Sequence, residues 1–288
     1  MAATVMGSPA ARVRRGVGLG VVAVVLLVWT LLPVYHMVMM SLSPDGEVFE
    51  RQLWPENPTL SNFWTVLTAG DFFIENFWRQ LWNSIFVAAL TTLLVLTIGS
   101  SASFAIARLR PRWGNALSNA ALATYVIPTS FLAIPLYRAM ANYSLLDTSW
   151  ALIFSMTAFA SPYAMWVFTQ YAKSGIPLEL DESARVDGAT NWQIYVRIYL
   201  PLMRPVLVAI GTYALLSSWN EYLLAFLLLN SAENMTLPVA LGSFLNTDQV
   251  PWNLLMATSL IYAIPPVIIY YVFRKNVSSG MTAGGVKT

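Results

Sequence analysis

Glu179, Asp181, Glu182, Arg185 and Asp187 crowd into one short stretch of chain that is flanked on both sides by long apolar runs. Charges at that density cannot lie in hydrocarbon, so this island faces water, and its place between apolar runs makes it a candidate docking surface. Its carboxylates lack the companions that catalysis needs. The chain has no Cys and a single His, which excludes thiolate nucleophiles and disulfides and leaves no dense ligand set for a transition metal. No H-E-x-x-H spacing and no Ser/His pair is present, which speaks against an enzyme buried in the membrane. His36 stands near the outer end of the first apolar run and reads as an interfacial hydrogen-bonding group. The tail Gly280-Met-Thr-Ala-Gly-Gly-Val-Lys-Thr288 has the glycines of a phosphate-binding loop. Its spacing is one residue off, and no helix N-terminus follows to cradle a phosphate, so no nucleotide site is expected.

Glu221 poses a different problem, as a lone carboxylate in an otherwise apolar run beside Trp219 and Asn220. An acidic side chain at a helix centre lies roughly 2.5–3.5 kcal/mol uphill in lipid, so it must face protein, water or the outer interface. Two roles are open. Trp219, Asn220 and Glu221 line a path for solute, or Glu221 lies at the outer end of its helix and hydrogen-bonds a neighbouring span.

Positioning these residues is the task of an apolar scaffold. The chain is 57% hydrophobic and 10% charged, against roughly a quarter charged in soluble proteins. Stretches free of Asp, Glu, Lys and Arg cover 16–44, 81–107, 113–137, 148–172 and 249–273, and a sixth at 205–229 is interrupted only by Glu221. Each can cross a bilayer, because roughly 20 residues at about 1.5 Å rise cover its ~30 Å core. The runs are continuous and do not alternate, so the expected fold is an all-α integral membrane protein with six transmembrane helices. The first run follows three arginines as a secretory signal would, but it continues past signal length without a small-x-small cleavage site and reads as an uncleaved anchor.

Cations set the orientation. Arg12, Arg14, Arg15, Arg108, Arg110, Arg112, Lys173, Arg185, Arg197, Arg204, Arg274, Lys275 and Lys287 fall on one side, thirteen of the sixteen. Arg51, Arg79 and Arg138 fall on the other. The positive-inside rule then places both termini and the island in the cytoplasm. The resulting segments are a cytoplasmic terminus 1–15, a first span 16–44, an external interfacial segment 45–80 rich in Trp and Phe, five further spans within 81–273 that include a cytoplasmic loop at 173–204, and a cytoplasmic tail 274–288. Gly99-Ser-Ser-Ala-Ser103 and Ala105 make the second span small-sided, which favours close helix packing. Pro128, Pro135, Pro162, Pro265 and Pro266 lie in or near spans, where they bend helices.

The island has its own local signals. Pro177 can open a short helix whose first turns hold Glu179, Asp181 and Glu182, where carboxylates complement the helix dipole. Gly188 suits the left-handed stop at its end. Thr190-Asn-Trp-Gln193 matches a capping box that starts a second helix carrying Trp192, Tyr195, Ile198 and Tyr199. Pro201 and Pro205 break that helix and open the next span. A rigid helix-turn-helix along the cytoplasmic face is the result, suited to passing a push into the fifth span.

The pattern Ile176-Pro177-x-Glu179-Leu180-x-Glu182-x-Ala184-x-x-Asp187-Gly188-Ala189, with Ile198-x-Leu200-Pro201-Leu202, resembles the EAA loop of ATP-binding-cassette importer permeases. Ser183 departs from the Ala usual there. Further stretches resemble the smaller permease subunit of carbohydrate importers of the maltose-transporter type: Pro58 to Phe63, Asn83-Ser84, Ala107-Arg108-Leu109-Arg110, Ile127-Pro128, Ile134 to Tyr137, Ser218-Trp219-Asn220-Glu221 and the tail from Met281. The resemblance implies a type I ABC importer permease fold in a prokaryotic inner membrane. It implies a sugar importer that includes a second homologous permease subunit, two ATP-binding subunits and an extracytoplasmic solute-binding protein. ATP and Mg would be bound by the ATPase partner, with no cofactor in this chain. Glu179, Glu182, Ala184, Asp187, Gly188 and Ala189 carry over as ATPase-coupling residues, and the tail from Gly280 would run toward the ATPase pair. Importers of this branch also include permeases for glycerol phosphate, so that solute or a polyol is the alternative cargo. An ion-coupled secondary transporter is the alternative from another class, although no internal repeat or chain of intramembrane charges supports it.

Overall fold

A computed structural model of the chain describes residues 9–49 and 53–282, with side chains for 16–49 and 53–274. The arginines at 12, 14, 15 and 51, the lysines at 275 and 287, and the tail beyond Thr282 therefore lie, in whole or in their side chains, outside the described residues. Among the described residues the regular elements are helical.

The chain divides into two compact units, 1–71 with 247–261, and 72–246 with 262–288. In the first, helix α1 (Pro9–Leu42) exposes its side chains from Gly16 to His36. That apolar surface, with none of its most hydrophobic stretch buried, belongs in lipid. Helix α2 (Ser61–Thr68) follows the irregular segment after Leu42. Asn62 sits under that segment and donates to the carbonyls of Ser41 and Ser43, both at 2.9 Å. Asn253 donates to Asp45 Oδ1 at 2.6 Å and to Asn62 Oδ1 at 3.1 Å. Met39, Met40 and Val48 pack with Trp252 and Met256 around this polar knot. Part of the aromatic segment is thus pinned to the end of α1 and to residues 252–256.

The second unit carries the core. Helix α3 (Phe77–Phe104) runs into a π-helical turn at Ala105–Leu109. The helix thus starts four residues before the charge-free run at Leu81. Arg79 set that boundary, yet it lies in the first turn with Nε donating to the Glu233 carbonyl at 3.1 Å. Helices α4 (Gly114–Ala123) and α5 (Thr129–Asn142) replace the single span expected at 113–137. The two are bent by 102° at Ile127-Pro128, where Ile127 is extended as a residue before proline must be. Helix α6 (Ser149–Gly175) is a long, half-buried helix. After the loop come α10 (Arg204–Trp219), the short α11 (Leu223–Leu228) and α12 (Leu237–Ser243), and the chain closes with α13 (Trp252–Thr282), shared between the units. Among the described residues, four helices are long and apolar enough to cross a membrane, and two bent pairs supply up to two more crossings.

α3, α6 and α10 pack along one another. The small-residue stretch explains how closely: a Cβ on Gly99 would meet Ala164 Cβ at 3.0 Å and Phe168 at 3.1 Å. Packing of this kind replaces the missing hydrophobic drive between helices in lipid. A second cluster joins Val87, Leu152, Ile153, Leu224 and Leu228. Asp147, in the turn between α5 and α6, ties that end together by accepting the N–H groups of Asn230 at 2.8 Å and Ser231 at 2.9 Å. Burial pushes the Asp147 carboxyl up, but these bonds, with the Asn234 amide, outweigh it and hold the group below the ordinary carboxylate value.

Candidate functional site: the polar loop and the cavity beside Glu221

The polar island folds largely as its local signals predict, except that its first helix starts late and its second runs through Pro201 to Leu202 instead of breaking there. Helix α7 spans Glu179–Val186, two residues beyond Pro177, because Ile176 is held extended ahead of the proline. Glu179, Asp181 and Glu182 occupy its first turn. Gly188 follows at φ +82°, the left-handed stop, and its N–H donates to the Arg185 carbonyl at 3.1 Å. Thr190 caps helix α8 (Asn191–Ile194) reciprocally. Gln193 N–H reaches Thr190 Oγ1 at 3.3 Å, and Gln193 Oε1 accepts the Thr190 N–H at 2.7 Å. A second π-helical turn at Tyr195–Tyr199 leads into α9 (Leu200–Leu202), and the chain then bends by 77° into α10.

The loop has two faces. Inward, Ile176, Ile194, Tyr195, Tyr199 and Met203 are buried in the core formed by α3, α6 and α10, with Ala184 and Ala189 packed against them. Outward stand Glu179, Glu182, Asp187 and Gly188, and Val186 at the tip is 89% exposed. Asp187, Gly188 and Ala189 also line a notch of about 240 Å³ with Gln193, Ile194, Arg197 and Ile198. The six residues singled out by sequence thus share one corner, four on its open surface and the two alanines at its seam.

Asp181 departs from the rest of its turn. Dipole complementarity alone would leave it in solvent, but its side chain is 6% exposed and pairs with Arg108, 1% exposed, at 3.1 Å between Oδ2 and Nε. Arg108 lies in the π-helical turn that ends α3, and its Nη2 donates to the Ile176 carbonyl at 3.0 Å. Removing one partner of such a buried pair costs about 3–5 kcal/mol, because it strands the other charge. From the sequence, Arg108 stands out only as one of the orienting cations. Its presence in Ala107-Arg108-Leu109-Arg110, among the stretches that carry the resemblance, was the one signal of more.

Glu221 lies in no continuous helix, contrary to the run 205–229. It falls in the break between α10 and α11, where Oε1 accepts the Leu224 N–H at 2.8 Å. Irregular backbone at membrane depth is tolerated where it is covered by protein or lines a wet cavity. A cavity of about 600 Å³ adjoins the break, walled by Thr124, Tyr125, Tyr213, Ser217, Glu221 and the apolar flank of α5 and α6. The Tyr125 and Tyr213 hydroxyls approach to 3.4 Å, and both rings lie against Tyr163. Trp219 turns away: it is 2% exposed and stacks on Tyr262, whose hydroxyl donates to the Trp219 carbonyl at 2.7 Å. The Asn220 side chain is exposed and bonds back to the Leu216 carbonyl at 2.8 Å. Of the three residues expected on a path, Glu221 is the one that lines the cavity. Tyr125, Tyr213 and Ser217 join it only because the two helix breaks come together.

Residues 96–283, which include both the loop and the Glu221 break, match the family described as binding-protein-dependent transport system inner membrane component. The chain belongs to that family. The permease is 32% identical to the inner membrane ABC transporter permease protein YcjP of Escherichia coli (strain K12), over 91% of its own length and 92% of that relative. It is 30% identical to the trehalose transport system permease protein SugB of Mycobacterium tuberculosis (strain CDC 1551 / Oshkosh), over 95% and 98%. Its fold superimposes on a chain of a bacterial ABC transporter involved in the import of the acidic polysaccharide alginate, with TM-score 0.77 and 24% identity over 94% and 99% of the two chains. The fold is that of a type I ABC importer permease. The protein is accordingly a multi-pass inner-membrane permease subunit, non-catalytic and dependent on partner subunits, and an ion-coupled carrier is not favoured.

Proposed function

We propose that this permease forms half of the pore of an ATP-driven sugar importer. A homologous second permease supplies the other half, and an extracytoplasmic binding protein delivers the sugar. Two ATPase subunits bind ATP and Mg and dock against residues 173–204. Both termini and that loop lie in the cytoplasm, on the side holding thirteen of the sixteen cations. The observation that carries this reading is the two-faced loop. Glu179, Glu182, Asp187 and an 89% exposed Val186 stand on a corner whose inner face is buried in three spans. An exposed apolar tip ringed by charge is suited to a groove on another protein. Closure of the ATPase pair then moves the corner, and the spans attached to it switch the pore between inward-facing and outward-facing states.

The cavity beside Glu221 is the segment of the pathway that this subunit supplies. Two tyrosines, a serine and a carboxylate offer aromatic faces and hydrogen-bond partners to a sugar, and no Lys or Arg lines the wall. That electrostatics disfavours glycerol phosphate. The trehalose permease among the relatives supports a neutral oligosaccharide as cargo.

Reconstitution of the complete complex in vesicles tests the reading, with labelled trehalose as the first probe. Glu182→Lys with Val186→Asp should release the ATPase subunits and abolish ATP-dependent uptake. A complex that retains both with these changes would sink the proposal.

A further inference from the structure

The loop is covalently joined to α6 before it and, through α9, to α10 after it. The structure adds a third attachment, to the end of α3. The Arg108 guanidinium is clasped between the Asp181 carboxylate and the Ile176 carbonyl, and it lies over the Tyr199 ring at 5.9 Å from the centroid. Tyr199 and Tyr195 in turn meet Ser103 and Ser100 of α3, each pair at 2.7 Å between oxygens. Phe104 lies against both tyrosines, with centroids 5.2 Å and 5.1 Å away, while the tyrosine rings stack on each other at 6.1 Å. Both strands of this joint are π-helical turns, Ala105–Leu109 and Tyr195–Tyr199. A π-helical turn inserts a residue into the helical ladder, is rare, and recurs at functional sites.

We infer that Arg108 and Asp181 are positioning residues that form a strut through which displacement of the loop is transmitted to α3, so that ATPase closure moves three spans as one body. The inference rests on the loop reading above and adds to it the element that carries the push. Three physical points support it. The strut is buried, so solvent does not screen the attraction between its charges. Asp181 faces inward from the same turn that shows Glu179 and Glu182 to the outside, so a force on the outer face of α7 arrives directly at Arg108. Beyond the joint, α3 packs along both α6 and α10, so a helix left behind would shear the core at the tight Gly99 crossing. Without the strut, α7 can yield under load by swinging on the extended link at Ile176-Pro177 and on Gly188.

The test uses the complete reconstituted complex and two variants, Asp181→Asn and the pair Arg108→Met/Asp181→Leu. The double change removes both charges yet keeps the site filled, and apolar replacement of a buried pair is commonly neutral for folding. For each, assembly with the ATPase subunits, ATP hydrolysis stimulated by the loaded binding protein, and sugar taken up per ATP are measured. The strut predicts that the double variant assembles and hydrolyses ATP, while uptake per ATP falls about tenfold, a typical coupling loss; Asp181→Asn falls at least as far. Unchanged uptake per ATP in Asp181→Asn would overturn the inference. So would recovery of uptake per ATP in the double variant, which would make the pair a folding element alone, as would failure of both variants to assemble. Failure of the loop reading shows elsewhere, in ATPase retention by the Glu182→Lys/Val186→Asp complex, so the two outcomes are separable.

Discussion

Changing Gly188 separates the backbone of the loop from its side chains. Gly188 sits at φ +82° with nothing within 4 Å of where a Cβ would be built. An alanine there meets no neighbour in this chain, so its cost is the left-handed backbone alone, about 1–2 kcal/mol. That corresponds to roughly a five- to thirtyfold shift against the native turn. Proline is worse in kind. Its ring fixes φ near −65° and it has no N–H to give to the Arg185 carbonyl, so the native turn is lost, at about 3 kcal/mol or more. The buried attachments at Asp181, Tyr195 and Tyr199 are untouched by either change, so the damage stays at the exposed corner. Gly188→Ala should therefore keep assembly and most uptake, while Gly188→Pro should leave the protein in the membrane, with its partner permease, but uncoupled. Vesicle uptake and ATP hydrolysis, normalised to co-purified subunits, give the ranking. Full transport by Gly188→Pro would refute the role of the corner. An alanine as harmful as proline would refute the backbone argument and indicate a partner atom pressed against Cα.

Three further outcomes follow from the geometry. Glu221→Gln keeps the shape of the break but replaces a charged hydrogen-bond acceptor in the cavity wall by a neutral amide, so apparent sugar affinity should drop about tenfold with binding-protein-stimulated hydrolysis intact; unaltered uptake kinetics would leave Glu221 only its capping bond to the Leu224 N–H. Asp147 has a folded pKa below its ordinary 3.8, so its contribution is complete above that value and is lost as pH falls through the lower, folded one. Hydrogen-exchange protection at Asn230 and Ser231, taken relative to the intrinsic rate at each pH, should fall over that window in the native protein, and Asp147→Asn should show the reduced protection already at neutral pH. Gly99→Leu forces a side chain against Ala164 and Phe168, and should lower thermal stability in detergent by about 1–3 kcal/mol; an unchanged melting temperature would contradict the tight crossing.

Much of this protein was legible in its sequence because the signals involved are local. Uninterrupted apolar runs announce helices in lipid, since every backbone group must find its partner within its own segment. The loop was readable almost residue by residue, for Gly188 and the Thr190–Gln193 box act within a single turn. The rest depended on chain segments meeting. A charge-free run cannot tell a straight span from a broken one, which is why 113–137 and 205–229 read as continuous although they bend at Pro128 and part at Asn220-Glu221. Those breaks bring Tyr125, Tyr213 and Glu221 around one cavity, and nothing in the spacing of the three predicts it. Asp181 looked like its neighbours Glu179 and Glu182, and only the packing of α7 against the end of α3 turned it inward to Arg108. Periodicity says which residues can share a face of their own helix; which distant face it meets is decided by how whole helices fit, and that information is spread over the entire chain.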